Sequence, residues 1–287
     1  MGSFGFRKTT FGFNSGIINE KFAFSMNLVR KTGDGFYQGT FTDAYAYYFG
    51  ASYQLSDEDK FEIYAVGAPQ RHGQNLYMQN MARYSHDFAR QQEDYDRAAL
   101  FQYREGGRDF NQNYGGISSN YLGRRYYEMY NTSTTQRFAQ DYIMERENFY
   151  HKPQVNLNWC HTFNKDLRWS NVLYWSGGKG GGTGTFGSVS TDYSFQGMGI
   201  RQWDAEIAQN SNNIDQTYHS ALNASTGIIR NSVNQQNTYG AISKLSYQAN
   251  DALNLQVGVD YRWASIDHWR EVRDLLGGDY FAFTGND

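Results

Sequence analysis

The sequence predicts an all-β fold, an antiparallel transmembrane β-barrel segment with long extracellular loops. Three observations carry that expectation. Aromatic residues make up 17% of the chain although its mean hydropathy is only −0.75, which is what results when every strand alternates a lipid-facing residue with one facing a wet lumen. Apolar residues recur at every second position over runs of strand length, the period of a pleated strand with one greasy side. The links between successive runs alternate between tight polar turns and much longer segments, the asymmetry of short periplasmic turns and long extracellular loops.

In the first run Thr9, Phe11 and Phe13 share a face opposite Lys8, Thr10, Gly12 and Asn14, and in the second Phe22, Phe24, Met26 and Leu28 oppose Ala23, Ser25 and Asn27. The link Gly16 to Glu20 makes the two a hairpin. A third run aligns Tyr45, Tyr47, Phe49, Ala51, Tyr53 and Leu55, and the polar turn Ser56 to Asp59 leads to a fourth carrying Phe61, Ile63 and Ala65. The period dissolves at Pro69, so residues 70–149 are expected to form a long loop. Val155, Leu157, Trp159 and Phe163, the turn Asn164 to Asp166, and Leu167, Trp169, Leu173 and Trp175 form a further hairpin. A second long loop is expected over residues 177–237, followed by a seventh run from Tyr239 to Gln248 and a turn at Asn250 and Asp251. The eighth run is the most regular: Leu253, Leu255, Val257, Val259, Tyr261 and Trp263 alternate with Asn254, Gln256, Gly258, Asp260 and Arg262. Trp175, Tyr261 and Trp263 fall where strands are expected to enter long loops, the place of an aromatic girdle.

Composition narrows the alternatives. Disordered chains are poor in aromatics, and soluble β-sandwiches use shorter strands and seldom carry loops of this length. No run of about 18 apolar residues is present, which excludes a transmembrane helix and leaves a barrel open. The net charge of −3 and pI near 6.1 provide no basic footprint, so nucleic acid is not an expected partner. Cys160 is the sole cysteine, which excludes an internal disulfide and a Cys-rich metal site. Gly2 to Thr10 contains no apolar export segment. With the tight turns on the periplasmic side, residues 1 and 287 both fall on the extracellular side, so the chain is expected to be one partial barrel domain over residues 1–287, an arc of about eight strands from a larger wall.

Several segments resemble a known family. Gly2-Ser3-Phe4-Gly5-Phe6-Arg7-Lys8 and then Phe13-Asn14-Ser15-Gly16-Ile17-Ile18-Asn19-Glu20-Lys21-Phe22 are similar to the early barrel of TonB-dependent receptors. There a tip rich in glycine and phenylalanine feeds a strand and an I-N-x-K-F periplasmic turn. Lys31-Thr32-Gly33-Asp34-Gly35-Phe36 resembles their S-D-G-Y strand end, and Gly67-Ala68-Pro69-Gln70-Arg71-His72-Gly73-Gln74 the opening of their third large loop; the pattern is most like receptors of the Bacteroidetes type. The resemblance implies an integral protein of the Gram-negative outer membrane whose chain here runs from the second to about the ninth strand of a 22-stranded barrel. It implies, in the parent, binding of an extracellular small-molecule, glycan or peptide ligand and TonB-coupled import, without a cofactor. The implied partners are outer-membrane lipid, a plug domain of the same parent and a TonB-type energy-coupling complex. The alternative is a structural or adhesive outer-membrane barrel without a transport role.

Arg71, His72, Tyr77, Arg104, Arg124, Arg125 and Tyr126 combine stacking surfaces with positive charge or a titratable ring in the expected extracellular loops, which suits ligand capture. Packing of a large loop on itself is the competing reading for each. Lys8, Asp260 and Arg262 on the lumen-like face are expected to meet the plug. Other motifs carry less. Gly177 to Thr183 lacks the G-K-[ST] ending of a phosphate loop, because Lys179 is followed by Gly180. Cys160 and His161 are adjacent in a strand and point to opposite faces. His72, His86, His151, His219 and His268 are scattered through expected loops without zinc-site spacing, so no metal is expected. Glu93, Asp94 and Asp96 sit in a charge-balanced stretch, Ser85 to Arg104, that can form a short helix in the long loop and reads as a solvated face, and no serine, histidine and acidic set has a hydrolase motif, so the chain is not expected to be an enzyme.

Overall fold

The computed structural model describes residues 2–118, 121, 141–194 and 196–285. A ten-stranded antiparallel sheet dominates them. Strands β1 (Arg7–Asn14), β2 (Phe22–Asp34), β3 (Phe41–Gln54) and β4 (Asp59–Gly67) form a meander, and β5 (Gln70–Gly73) carries on the line of β4. A separate ribbon pairs β6 (Tyr114–Gly116) with β7 (Tyr142–Met144). Strand β8 (Glu147–His151) leads into β9 (Gln154–Thr162), and β10 (Leu167–Gly187), β11 (Gly227–Asn250) and β12 (Leu253–Asp274) complete the wall in the order β1-β2-β3-β4-β9-β10-β11-β12. These are the eight strands that the alternation predicted.

Register fixes the two faces, because residues paired across antiparallel strands share a side of the sheet. One row runs Phe13, Met26, Phe49, Ala65, Val155, Trp175, Tyr239, Trp263. One residue nearer the tight turns, the row reads Asn14, Ser25, Gly50, Tyr64, Asn156, Tyr174, Gly240, Arg262. The first face is apolar, and the second is polar or small. Trp263 is 52% exposed and Tyr239 50%; rings so bare, in a continuous row, are an aggregation surface in water and a favourable one against acyl chains. The apolar band extends from the level of Asp59 to that of Gly67 and Tyr47, about 27 Å along the strand at about 3.4 Å per residue, which at a tilt of about 35–45° is a height of about 19–22 Å, a little under the roughly 25 Å apolar height of an outer-membrane barrel. No helix among the described residues is long and apolar enough to cross a membrane, which says nothing of strands.

Both expected long loops begin and end differently from the sequence reading. Residues 177–187 pair without a break with residues 227–237, so the strands run well past the apolar band. Glycine hides this in the sequence, since Gly177, Gly178, Gly180, Gly181, Gly182 and Gly184 have no side chains to alternate. Strand β12 likewise continues to Asp274, which places Tyr261 and Trp263 within a strand instead of at its end. In the first long segment β5 and β8 extend the sheet beyond Pro69 and Pro153, the chain's two prolines. Val66 pairs with Gln154 and Gln70 with Tyr150, so register is kept across a gap where proline has no N–H to give the ladder.

Above the band the intervening segments fold onto the projecting strands. Helix α1 (His86–Arg90) is capped by the Ser85 hydroxyl, which accepts from the Phe88 N–H at 3.2 Å. The short α2 (Ala99–Gln102) follows, and the stretch read as a solvated face thus contains two helical turns. Helix α3 (Trp203–Asn210) has Asp204 and Glu206 in its first turn and buries Trp203, Glu206 and Asn210, which lie on one side of it. Trp203 packs with Ile117, Ile143, Ile229 and Leu276 in the apolar core of this layer. The core therefore sits beyond the part of the sheet that carries the apolar band.

Candidate functional site

The structure separates the residues expected to capture ligand. Arg71 lies in β5, buried, with Nη2 3.7 Å from Asp43 and its guanidinium 5.3 Å over the Phe41 ring. It braces the sheet. His72, the next residue, points to the opposite side, where Nδ1 lies 3.0 Å from the Gln70 Oε1 and burial holds its pKa below the ordinary histidine value. The Tyr77 hydroxyl accepts from Arg146 Nη2 at 2.5 Å, and Arg104 is exposed with its carbonyl accepting from Arg83 at 3.4 Å. Arg124, Arg125 and Tyr126 lie outside the described residues. Arg71, His72, Tyr77 and Arg104 do not form one pocket, because strand geometry sends the first two to opposite faces. His72, His151 and His268 belong to strands and His86 to α1, a correction to their reading as loop residues. No group of three or more metal-ligating side chains occurs among the described residues.

On the lumen-like face Lys8 stands opposite Lys31, and Asp260 lies 3.8 Å from Arg262. Arg262 Nε donates to the Tyr174 hydroxyl at 3.0 Å. On the same face Lys60 and Glu62 pair at 2.6 Å. A charged, tyrosine-bearing surface of this kind is suited to hold another polar surface against the wall.

Among the cavities that open above the apolar band in the described residues, two differ in how their arginines are satisfied. The smaller, about 400 Å³, is lined by Tyr77, Met78, Gln112, Glu145, Tyr193, Gly199 and Arg201. At its base Arg201 Nε and Nη2 donate to the two oxygens of Glu145, each at 3.1 Å, and the Thr185 hydroxyl adds a bond at 3.0 Å. Burial opposes the Arg201 charge, and the hydrogen bonds and attraction of Glu145 outweigh it, so the guanidinium pKa is raised. This cation is already satisfied.

The larger cavity, about 920 Å³, lies against β11 and β12. Phe186, Arg230, Ser232, Arg270, Phe281 and Phe283 are among the side chains lining it. Register explains the meeting of residues far apart in sequence: Ser232 pairs with Arg270 and Arg230 with Val272. Arg230 Nη1 donates to the Ser232 hydroxyl at 2.6 Å, while its Nε is buried without a partner. Burial lowers the Arg230 pKa, and the like charges of Arg146 and Arg270 lower it further. The Arg270 guanidinium lies 5.5 Å over the Phe186 ring, which also meets Phe281 at 5.7 Å and Phe283 at 5.5 Å. The lining carboxylate, Glu271, is engaged by Asn231 at 2.9 Å and Trp269 at 3.1 Å. Crowded guanidiniums beside aromatic faces make a site for an anion that also carries a ring or plane. Residue spacing held no signal for this site, because only the strand register assembles it.

No protein-family model matches the sequence, and no curated protein matches it significantly. Among solved structures the chain is similar to the ferric-catecholate import receptor Fiu of E. coli K12 in its closed form, with a TM-score of 0.52 and 12% identity over 92% of this chain and 30% of the receptor. The open form of that receptor gives 0.50 and 10% over 99% of this chain and 37% of its own length. The chain thus spans between 30% and 37% of the receptor chains it matches. At such identity the likeness establishes the fold, an antiparallel sheet like that of an outer-membrane β-barrel receptor.

Proposed function

We propose that this chain is part of the wall of an outer-membrane receptor that binds an anionic, ring-bearing nutrient at its extracellular end. In the complete parent the ligand is imported by TonB-coupled transport through a barrel of 22 strands. The observation that carries the reading is positional: one apolar band crosses all eight wall strands, and the cation-and-ring cavity sits where β10, β11 and β12 project beyond it. The lumen-like face with Lys8, Asp260 and Arg262 is the surface on which a plug would rest. Ligand chemistry follows from Arg230 and Arg270, which favour a small anionic ligand over a neutral glycan or peptide.

The test uses the complete parent protein with a ferric tris-catecholate complex, an anionic aromatic probe, followed by fluorescence of Trp269 at the cavity. Removing two charge-assisted contacts in the double variant R230A/R270A is expected to weaken binding by at least about tenfold. Undiminished binding in that variant, or recovery of the protein outside the outer-membrane fraction, would sink the proposal.

A further inference from the structure

We infer that Asp59 and His161, flanked by Trp159, Phe163 and Trp169, form a headgroup site for a phospholipid bearing a primary ammonium, on the lipid-facing side of the wall at its periplasmic rim. This rests on the membrane placement proposed above. Asp59 opens β4, its register partner in β9 is His161, and His161 pairs onward with Trp169 in β10. Counting by twos from this row reaches the row of Ala65, Val155 and Trp175, so the carboxylate and imidazole belong to the apolar face and not to the lumen. They stand in the first row inside the tight turns.

The pair is built, not incidental. Asp59 Oδ1 accepts from His161 Nδ1 and from Trp159 Nε1, each at 2.8 Å. With Nδ1–H held on the carboxylate, the ring orientation is set and Nε2 is directed away, where it has no hydrogen-bond partner among the described residues. The Phe163 ring stands edge-on to His161 at 4.4 Å, and Trp159 meets Trp169 at 4.9 Å. A carboxylate and an imidazole facing hydrocarbon are costly, and that cost falls toward the interface. Aromatic rings there give the glycerol and first methylenes a surface, and Nε2 is the imidazole atom left to meet the headgroup.

Charge selects the headgroup. Asp57 and Glu58 are exposed in the turn just before Asp59, where Glu58 Oε2 accepts from the Ser56 hydroxyl at 3.0 Å, so two further carboxylates stand at the water end of the pair. They attract an ammonium that can donate hydrogen bonds. An anionic headgroup without an amine meets repulsion there, and a trimethylated one has no N–H to give.

The complete parent, purified from the outer membrane and stripped of lipid, would be offered phosphatidylethanolamine, phosphatidylcholine or phosphatidylglycerol, with retained lipid counted by native mass spectrometry. Retention of the ethanolamine lipid is expected to exceed the others by about tenfold, the effect of one charge-assisted contact. H161Q is expected to abolish the excess. The exposed-turn variant D57N/E58Q, which keeps an acceptor for the Ser56 hydroxyl at position 58, is expected to bring ethanolamine and choline lipids level. Equal retention of the three lipids, or an unchanged preference in D57N/E58Q, overturns the inference while leaving the receptor reading intact. Recovery of the parent outside the outer-membrane fraction overturns both.

Discussion

Arg262 reaches across Gly240 to donate to the hydroxyl of Tyr174, 3.0 Å away, so a single ring spans the strand between them on the lumen-like face. The glycine permits it: a Cβ at position 240 would lie 2.1 Å from the Tyr174 ring. Gly240→Val is therefore expected to lift Tyr174 off the sheet and break its bond to Arg262, costing about 1–3 kcal/mol as overpacking does. A lower unfolding temperature would show it, and Tyr174→Phe should cost less, because it removes the hydroxyl and leaves the ring in place.

Buried charge holds the layer above the apolar band to the wall. Arg273 Nη2 donates to Glu147 Oε2 at 2.6 Å, with both side chains 1% exposed. Glu147→Ala would leave a buried guanidinium without its carboxylate, a change that typically costs about 3–5 kcal/mol. Hydrogen exchange should rise first in β8 and at the end of β12, ahead of the membrane-height rows. Uniform loosening of the whole sheet would contradict this division.

The apolar and polar rows were legible because alternation needs only side chains in sequence order, and Phe49, Trp175 and Trp263 declare their face without help from neighbours. The length of β10 was not, since its glycine-rich outer half carries no such sign until β11 is laid beside it. Arg71 and His72 were read as loop residues because Pro69 ends the visible period. The strand resumes on the far side of that proline, held by β3 and β8 instead of by its own pattern. Arg230 and Arg270 illustrate the deeper limit. Their meeting depends on a register that sets Arg270 opposite Ser232, and nothing local to either arginine encodes it.

Two titrations should mark the same layer. Burial holds His72 below the ordinary histidine value of 6.5. The unfolded chain therefore takes up this proton more readily, and stability present above about pH 6.5 is lost as pH falls below it. Tyr142 runs the other way: burial, and after it the charge of Glu147, pushes it from 10.0 up to about 12. Its contribution is complete below pH 10 and is lost as pH rises through about 12. Hydrogen exchange across β5 to β8 should accelerate at both limits, with His72→Gln flattening the acid limb and Tyr142→Phe the alkaline one.

The smaller cavity offers a switch from satisfied to vacant charge. Glu145 occupies both donor edges of Arg201 facing it, which leaves that guanidinium with little to offer an anion. Glu145→Gln keeps the shape and a hydrogen-bond acceptor but removes the neutralising charge, while the hydroxyls of Thr185 and Thr191, at 3.1 and 2.6 Å, still hold Arg201 in place. The variant should lose stability at low ionic strength and regain it as sulfate is added, because the ion can take over neutralisation of a fixed, partly desolvated cation. The unaltered protein should show no such sulfate response at this cavity. If E145Q is destabilised and sulfate at millimolar concentration raises its unfolding temperature no more than chloride of equal ionic strength does, Arg201 is not presented to the cavity as its geometry indicates.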